Sequence, residues 1–146
     1  MKLRDDSGSI LPLIIGGCAL ALALILGVSS ATSLYLERKR LLTIADGAAL
    51  VAAQAFDTSV PPQLTASGSP TPVLSRASVT AGAKLYFANL APQSAHAVTL
   101  VAADSPDART ATVRVRGLWQ PPVVSFFFPS GFAIEASSSA RSVFSG

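Results

Sequence analysis

Charge is what this sequence has least of: Asp, Glu, Lys and Arg make up 13% of its 146 residues, against 50% apolar residues. An ordinary soluble domain carries about 25% charged residues, so the composition excludes a typical soluble enzyme surface. No charged residue occurs from Ser7 to Leu36. Cysteine is nearly absent too. The one thiol, Cys18, lies within the apolar run, which rules out an intramolecular disulfide and leaves any extracytoplasmic domain to be held by packing alone. Surrounded by Ile, Leu and Ala, Cys18 reads as a small apolar filler, because desolvation disfavours its thiolate.

Catalytic patterns are equally scarce. The single histidine, His96, sits in an expected strand with no Cys or carboxylate cluster near it, and reads as structural. There is no phosphate-binding glycine loop, HExxH, CxxC or GxSxG. The eight acidic residues are dispersed, with only Asp5 and Asp6 adjacent. No catalytic, cofactor-binding or metal-binding residue is assigned, and no small-molecule substrate is expected. Of the eleven basic residues, Lys2, Arg4, Arg38, Lys39 and Arg40 flank the apolar gap, where they serve as headgroup contacts and topology signals. The other six form no stripe with interleaved aromatics, so no nucleic-acid partner is expected.

What is present is a long apolar run, Ile10 to Ala31, longer than the roughly 20 residues a hydrocarbon core requires. It predicts a short N-terminal segment over 1–9 and a transmembrane helix over 10–33, with the lipid bilayer as first partner. Ala19, Ala23, Gly27 and Ala31 recur every four residues and place small side chains on one face, where another helix in lipid can approach closely. A cleaved signal peptide is the competing reading. Against it stand the length of the run and the charged stretch Glu37-Arg38-Lys39-Arg40, beyond which the helical pattern continues. Charge counting alone leaves orientation nearly tied and leans toward a cytoplasmic C-terminal part.

Beyond the span, Leu34, Leu41, Ala45, Ala48, Ala52 and Ala55 form a seam of mostly alanine knobs. They predict a juxtamembrane helix over 34–56 that continues the span as one rod of about 70 Å. Ala45, Ala48 and Ala52 are the candidate packing positions, suited to a partner helix or further copies. A Pro/Ser/Thr-rich linker is expected over 57–72, followed by a small module over 73–146. That module begins with a helix over 73–90 whose apolar series is Leu74, Ala77, Ala81, Leu85 and Ala88. The period then changes to two, predicting antiparallel strands over 96–103, 110–116 and 132–144. The fold class is therefore α+β: a long N-terminal helix, then one helix covering about three strands. Trp119, Phe126, Phe127, Phe128 and Phe132 gather between the last two strands. The core reading is favoured for them, since so small a sheet needs the apolar area, and an exposed patch that docks on a partner or on the membrane surface is the alternative.

The N-terminal third resembles the Flp pilus-assembly proteins of the TadE/TadG type. The matching features are Asp5-Asp6-Ser7-Gly8-Ser9, the apolar span, the segment Leu34 to Arg40, and Leu41 to Ala55 with its Ala-Asp-Gly-Ala-Ala-Leu-Val-Ala-Ala core. The resemblance implies a single-pass inner-membrane protein with its N-terminal segment 1–9 in the cytoplasm and its C-terminal module outside, acting as a minor pilin-like or assembly component among other pilin-like or pilus-assembly proteins. It further implies a possible processing site between Gly8 and Ser9. Leu13 stands where many such pilins carry glutamate, five residues after Gly8, and this tilts the resemblance toward a TadG-like assembly protein. A membrane-anchored binding or sensing module that uses the aromatic segment is the alternative function.

Overall fold

The computed structural model describes residues 10–55, 61, 63–64, 70–71, 73–90, 98–121, 125 and 129–142. Helix α1 runs without interruption over Ile10–Gln54, about 68 Å at roughly 1.5 Å per residue. Leucine and alanine, both strong helix formers, dominate it, and Pro12 falls in the first turn, where a missing N–H costs little. Thr32 and Thr43 satisfy their hydroxyls by donating to the carbonyls of Val28 (2.9 Å) and Lys39 (3.0 Å) one turn back.

The stretch read as a linker contains a minimal ladder, with β1 (Gln63–Leu64) antiparallel to β2 (Pro70–Thr71). Helix α2 covers Arg76–Asn89, starting three residues later than expected because Ser75 is its N-cap. Ser75 accepts from Ser78 N–H at 3.0 Å and Ser78 accepts from Ser75 N–H at 3.1 Å, a reciprocal capping box. Leu74 and Val79, on either side of that cap, both enter the core.

Three antiparallel strands follow: β3 (Val98–Asp104), β4 (Thr110–Trp119) and β5 (Phe132–Arg141), with β4 central. The period-two pattern explains the strand at the centre: Ala111, Val113 and Val115 are fully buried while Arg114 and Arg116 face solvent. β4 and β5 pair in unbroken register from Thr110 opposite Arg141 to Trp119 opposite Phe132. The β3–β4 register shifts between Leu100 and Ala102, leaving Val101 as a bulge. The turn joining β3 to β4 is fixed by Asp107, whose carboxylate accepts from Arg109 N–H (3.0 Å), Thr110 N–H (2.6 Å) and the Thr110 hydroxyl (2.8 Å). These donors favour the ionised form and hold the Asp107 pKa down at about 2.

One core joins all of this. Leu41, Ile44, Ala45, Ala48, Ala49 and Ala52 of α1 are buried with Val79 and Ala83 of α2 and the inner face of the sheet. The sheet is thus covered by two helices rather than one: the distal half of α1 lies over β4 and β5, and α2 lies beside it over β3. Two glycines allow the close approaches. A Cβ at Gly117 would fall 2.7 Å from Leu41 Cδ2, and one at Gly82 would fall 2.9 Å from the Ala52 Cα. The face of α2 differs from expectation. Ala77, Ala81, Leu85 and Ala88 point to solvent, while Val79, Gly82 and Ala83 are buried and Tyr86, Phe87 and Leu90 pack against the core. Gly82 lets this face of α2 approach α1 closely at Ala52, and Val79, Tyr86, Phe87 and Leu90 supply apolar area around it.

Candidate functional site

The feature that distinguishes this molecule is the contrast between the two halves of α1. Every residue from Ile10 to Ser29 is exposed, including Leu13 (76%) and Val28 (66%). Burial begins at Ser30 and is complete from Leu41 onward on the face toward the sheet. A helix with leucine and isoleucine exposed on all sides has the surface of one covered by lipid or by other protein. Among the described residues α1 is the one helix long and apolar enough to cross a bilayer.

Where the exposed half meets the module, side chains of three elements converge. Trp119, at the end of β4, donates its indole N–H to the Ser33 hydroxyl of α1 at 3.2 Å. Phe132, opposite Trp119 on β5, packs its ring 6.0 Å from the indole, tilted by 39°. An open cleft of about 550 Å³ runs between α1 and β5, lined by Ala31, Leu34, Tyr35, Arg38, Ala133, Ile134 and Glu135. Glu135 is held at its rim by Arg116 through Nε (3.0 Å) and Nη2 (2.6 Å). On the next turn Arg40 pairs with Glu37 at 3.2 Å, while Arg38 and Lys39 reach solvent.

The sequence-derived positions divide across this geometry. Ala19, Ala23, Gly27 and Ala31 lie on the exposed half, and Ala31 borders the cleft. Ala45, Ala48 and Ala52 are fully buried against the chain's own α2 and sheet. That stretch of the seam is therefore filled within the molecule instead of being open to a second chain. The core expectation for the aromatics needs correction at Phe132, which is 48% exposed, and Trp119 is half-buried at the margin. Phe126, Phe127, Phe128, His96, Gly8 and Ser9 lie outside the described residues. Ser33 was not singled out from sequence, since a serine inside an apolar run carries no local sign that a tryptophan 86 positions away donates to it. Among the described residues no group of three or more His, Cys, Asp or Glu is placed to hold a metal.

Comparison with known proteins agrees with the helix. Residues 8–55 match the family model described as "Tad: Putative Flp pilus-assembly TadE/G-like". The N-terminal third of the chain is TadE/G-like. The matched span coincides with α1 to within two residues at either end, so the TadE/G-like unit corresponds to the whole helix, the exposed half and the core-forming half together. No curated protein and no solved structure matches the chain. Over the matched residues the chain is one continuous helix, apolar and exposed in its first half and packed into the module in its second.

Proposed function

We propose that the chain is a membrane-anchored minor pilin-like or assembly component of a Tad/Flp-type pilus or related envelope secretion system. Its N-terminal segment lies in the cytoplasm, residues 10–33 cross the inner membrane, and the α+β module stands outside. One observation carries this reading: the TadE/G-like match covers a helix whose first half is exposed and apolar and whose second half is the core of the module. An uncleaved helix of this kind couples events in the membrane to the module, because bending or withdrawing α1 would expose Leu41, Ile44 and the alanines around them.

Partner contacts are assigned to two regions. The small-residue face Ala19, Ala23, Gly27 and Ala31 packs against helices of pilin-like or platform proteins in the bilayer. Protein contacts outside fall to the module. If Gly8–Ser9 is cut, α1 is left with a free amino terminus one residue before Ile10.

A photo-crosslinking residue at Ala23, set beside one at Leu22 on another face, tests this in cells that express the neighbouring pilus-assembly genes. The reading expects crosslinks to membrane-embedded pilus proteins from Ala23 above those from Leu22, loss of pili on deletion of the gene, and rescue by the intact chain. Normal piliation in the deletion strain, with equal non-specific crosslinking from both positions, would refute it.

A further inference from the structure

The exposed part of α1, Ile10 to Ser29, is about 30 Å long, which is the thickness of a bilayer's hydrocarbon core. Just beyond it Ala31 borders the cleft against β5, and the Trp119 indole is hydrogen-bonded to Ser33. There is no spacer between span and module. The unbroken helix fixes their separation, so the end of the sheet carrying Trp119 is held at the level where the hydrocarbon ends.

That end has the chemistry of a bilayer interface. Trp119 and Phe132 form a ring pair whose Phe132 member is about half exposed, and Leu118 on the outer face of β4 is 49% exposed. Around the helix from them, Tyr35 is 63% exposed, and Arg38 and Lys39 point to solvent within the next turn. Tryptophan and tyrosine favour the headgroup level because one end of the ring system is apolar and the other polar, while arginine and lysine reach phosphates from just beyond it. At the opposite end of the sheet, Thr110 and Arg141 are paired beside the hydrogen-bonded turn at Asp107, with no exposed aromatic among the described residues there.

We infer that the membrane-proximal end of the module is a lipid-contacting surface: Trp119, Phe132 and Leu118 are seated in the headgroup region of a phospholipid bilayer, so that the module lies on the membrane instead of standing off it. This rests on the reading of residues 10–33 as a span. It adds a second membrane contact, which limits tilting of α1 relative to the sheet.

Trp119 is the sole tryptophan and reports on itself. The full chain is reconstituted into phosphatidylcholine vesicles in which the lipid is brominated either near the glycerol end or near the terminus of its acyl chains, with iodide supplied on both sides as the aqueous quencher. The inference expects strong quenching by the shallow bromines, weaker quenching by the deep ones and little by iodide. Replacing Leu118 and Phe132 together by serine, with the fold checked by circular dichroism, should shift quenching from bromine to iodide. Retention on vesicles through alkaline extraction, combined with iodide quenching and no bromine quenching, would overturn the inference while leaving the anchor intact. An unchanged bromine signal in the folded double variant would equally overturn the assignment of this edge. Release of the chain by alkaline extraction would instead remove the anchor reading, and the inference with it.

Discussion

The contact between Leu41 and Gly117 offers a quantitative test of how α1 is joined to the sheet. Leu41 is fully buried, and a Cβ built on Gly117 would lie 2.7 Å from its Cδ2 and 3.0 Å from its Cδ1. Carbon pairs rest at about 3.5–4.0 Å, so Gly117→Ala forces Leu41 or the strand to move and should cost about 1–3 kcal/mol. Leu41→Ala removes the obstructing carbons and leaves a cavity, at about 2–5 kcal/mol. In the double variant the new methyl group enters space that leucine has vacated, so the penalty of Gly117→Ala should vanish or reverse. The expected coupling is about 1–3 kcal/mol, within the range found for residues in direct contact. Urea titration of the full chain in detergent micelles, followed by Trp119 fluorescence, gives the four stabilities. Additive effects would refute the argument that the missing side chain at Gly117 is what admits Leu41.

Other consequences are more local. Ala52→Leu should destabilise the module by about 1–3 kcal/mol, because Ala52 is fully buried where Gly82 brings α2 close, yet leave membrane insertion intact; thermal melting and alkaline extraction separate the two effects. Ser33→Ala removes the acceptor of the Trp119 N–H and should cost about 1 kcal/mol with a shift in indole emission. Asp107 has its pKa lowered from 3.8 to about 2 in the folded state. Its stabilising contribution is therefore present above the unfolded value and lost as pH falls through the folded one. Acid titration should show the loss between those limits in the parent and not in Asp107→Asn. Breaking the exposed Arg116–Glu135 pair by Arg116→Ala should change stability by no more than about 1 kcal/mol in the same melts.

Much of the architecture is legible in the residues, and the misses have physical causes. The unbroken length of α1 follows from its Leu/Ala composition, and β4 from the alternation Ala111, Val113, Val115 against Arg114 and Arg116. The sequence pattern of α2 points to the exposed face because alanine tolerates both environments. Four residues spaced for a stripe, Ala77, Ala81, Leu85 and Ala88, look apolar without being needed in the core, whereas the packed face is set by the close approach at Gly82 with Val79 and Phe87 beside it. The alanines of distal α1 were legible as a packing face but not as to their partner. That partner is the chain's own sheet and α2, and the fit depends on Gly117 and Gly82 lying opposite Leu41 and Ala52, a long-range match that no local period encodes. At the junction, Trp119 was recognised as important, but its acceptor at Ser33 is set by the docking of two elements far apart in the chain.

The side of the membrane to which the module is delivered is the central question, and a single cysteine decides it. With Cys18 replaced by serine and a cysteine placed at Ser139, an exposed position on β5, intact cells are treated with a membrane-impermeant maleimide before and after permeabilisation. Labelling of intact inner-membrane vesicles and spheroplasts follows the same scheme. An extracytoplasmic module requires full labelling at Ser139→Cys in spheroplasts without permeabilisation. Labelling only after the membrane is breached would contradict this by putting the module in the cytoplasm.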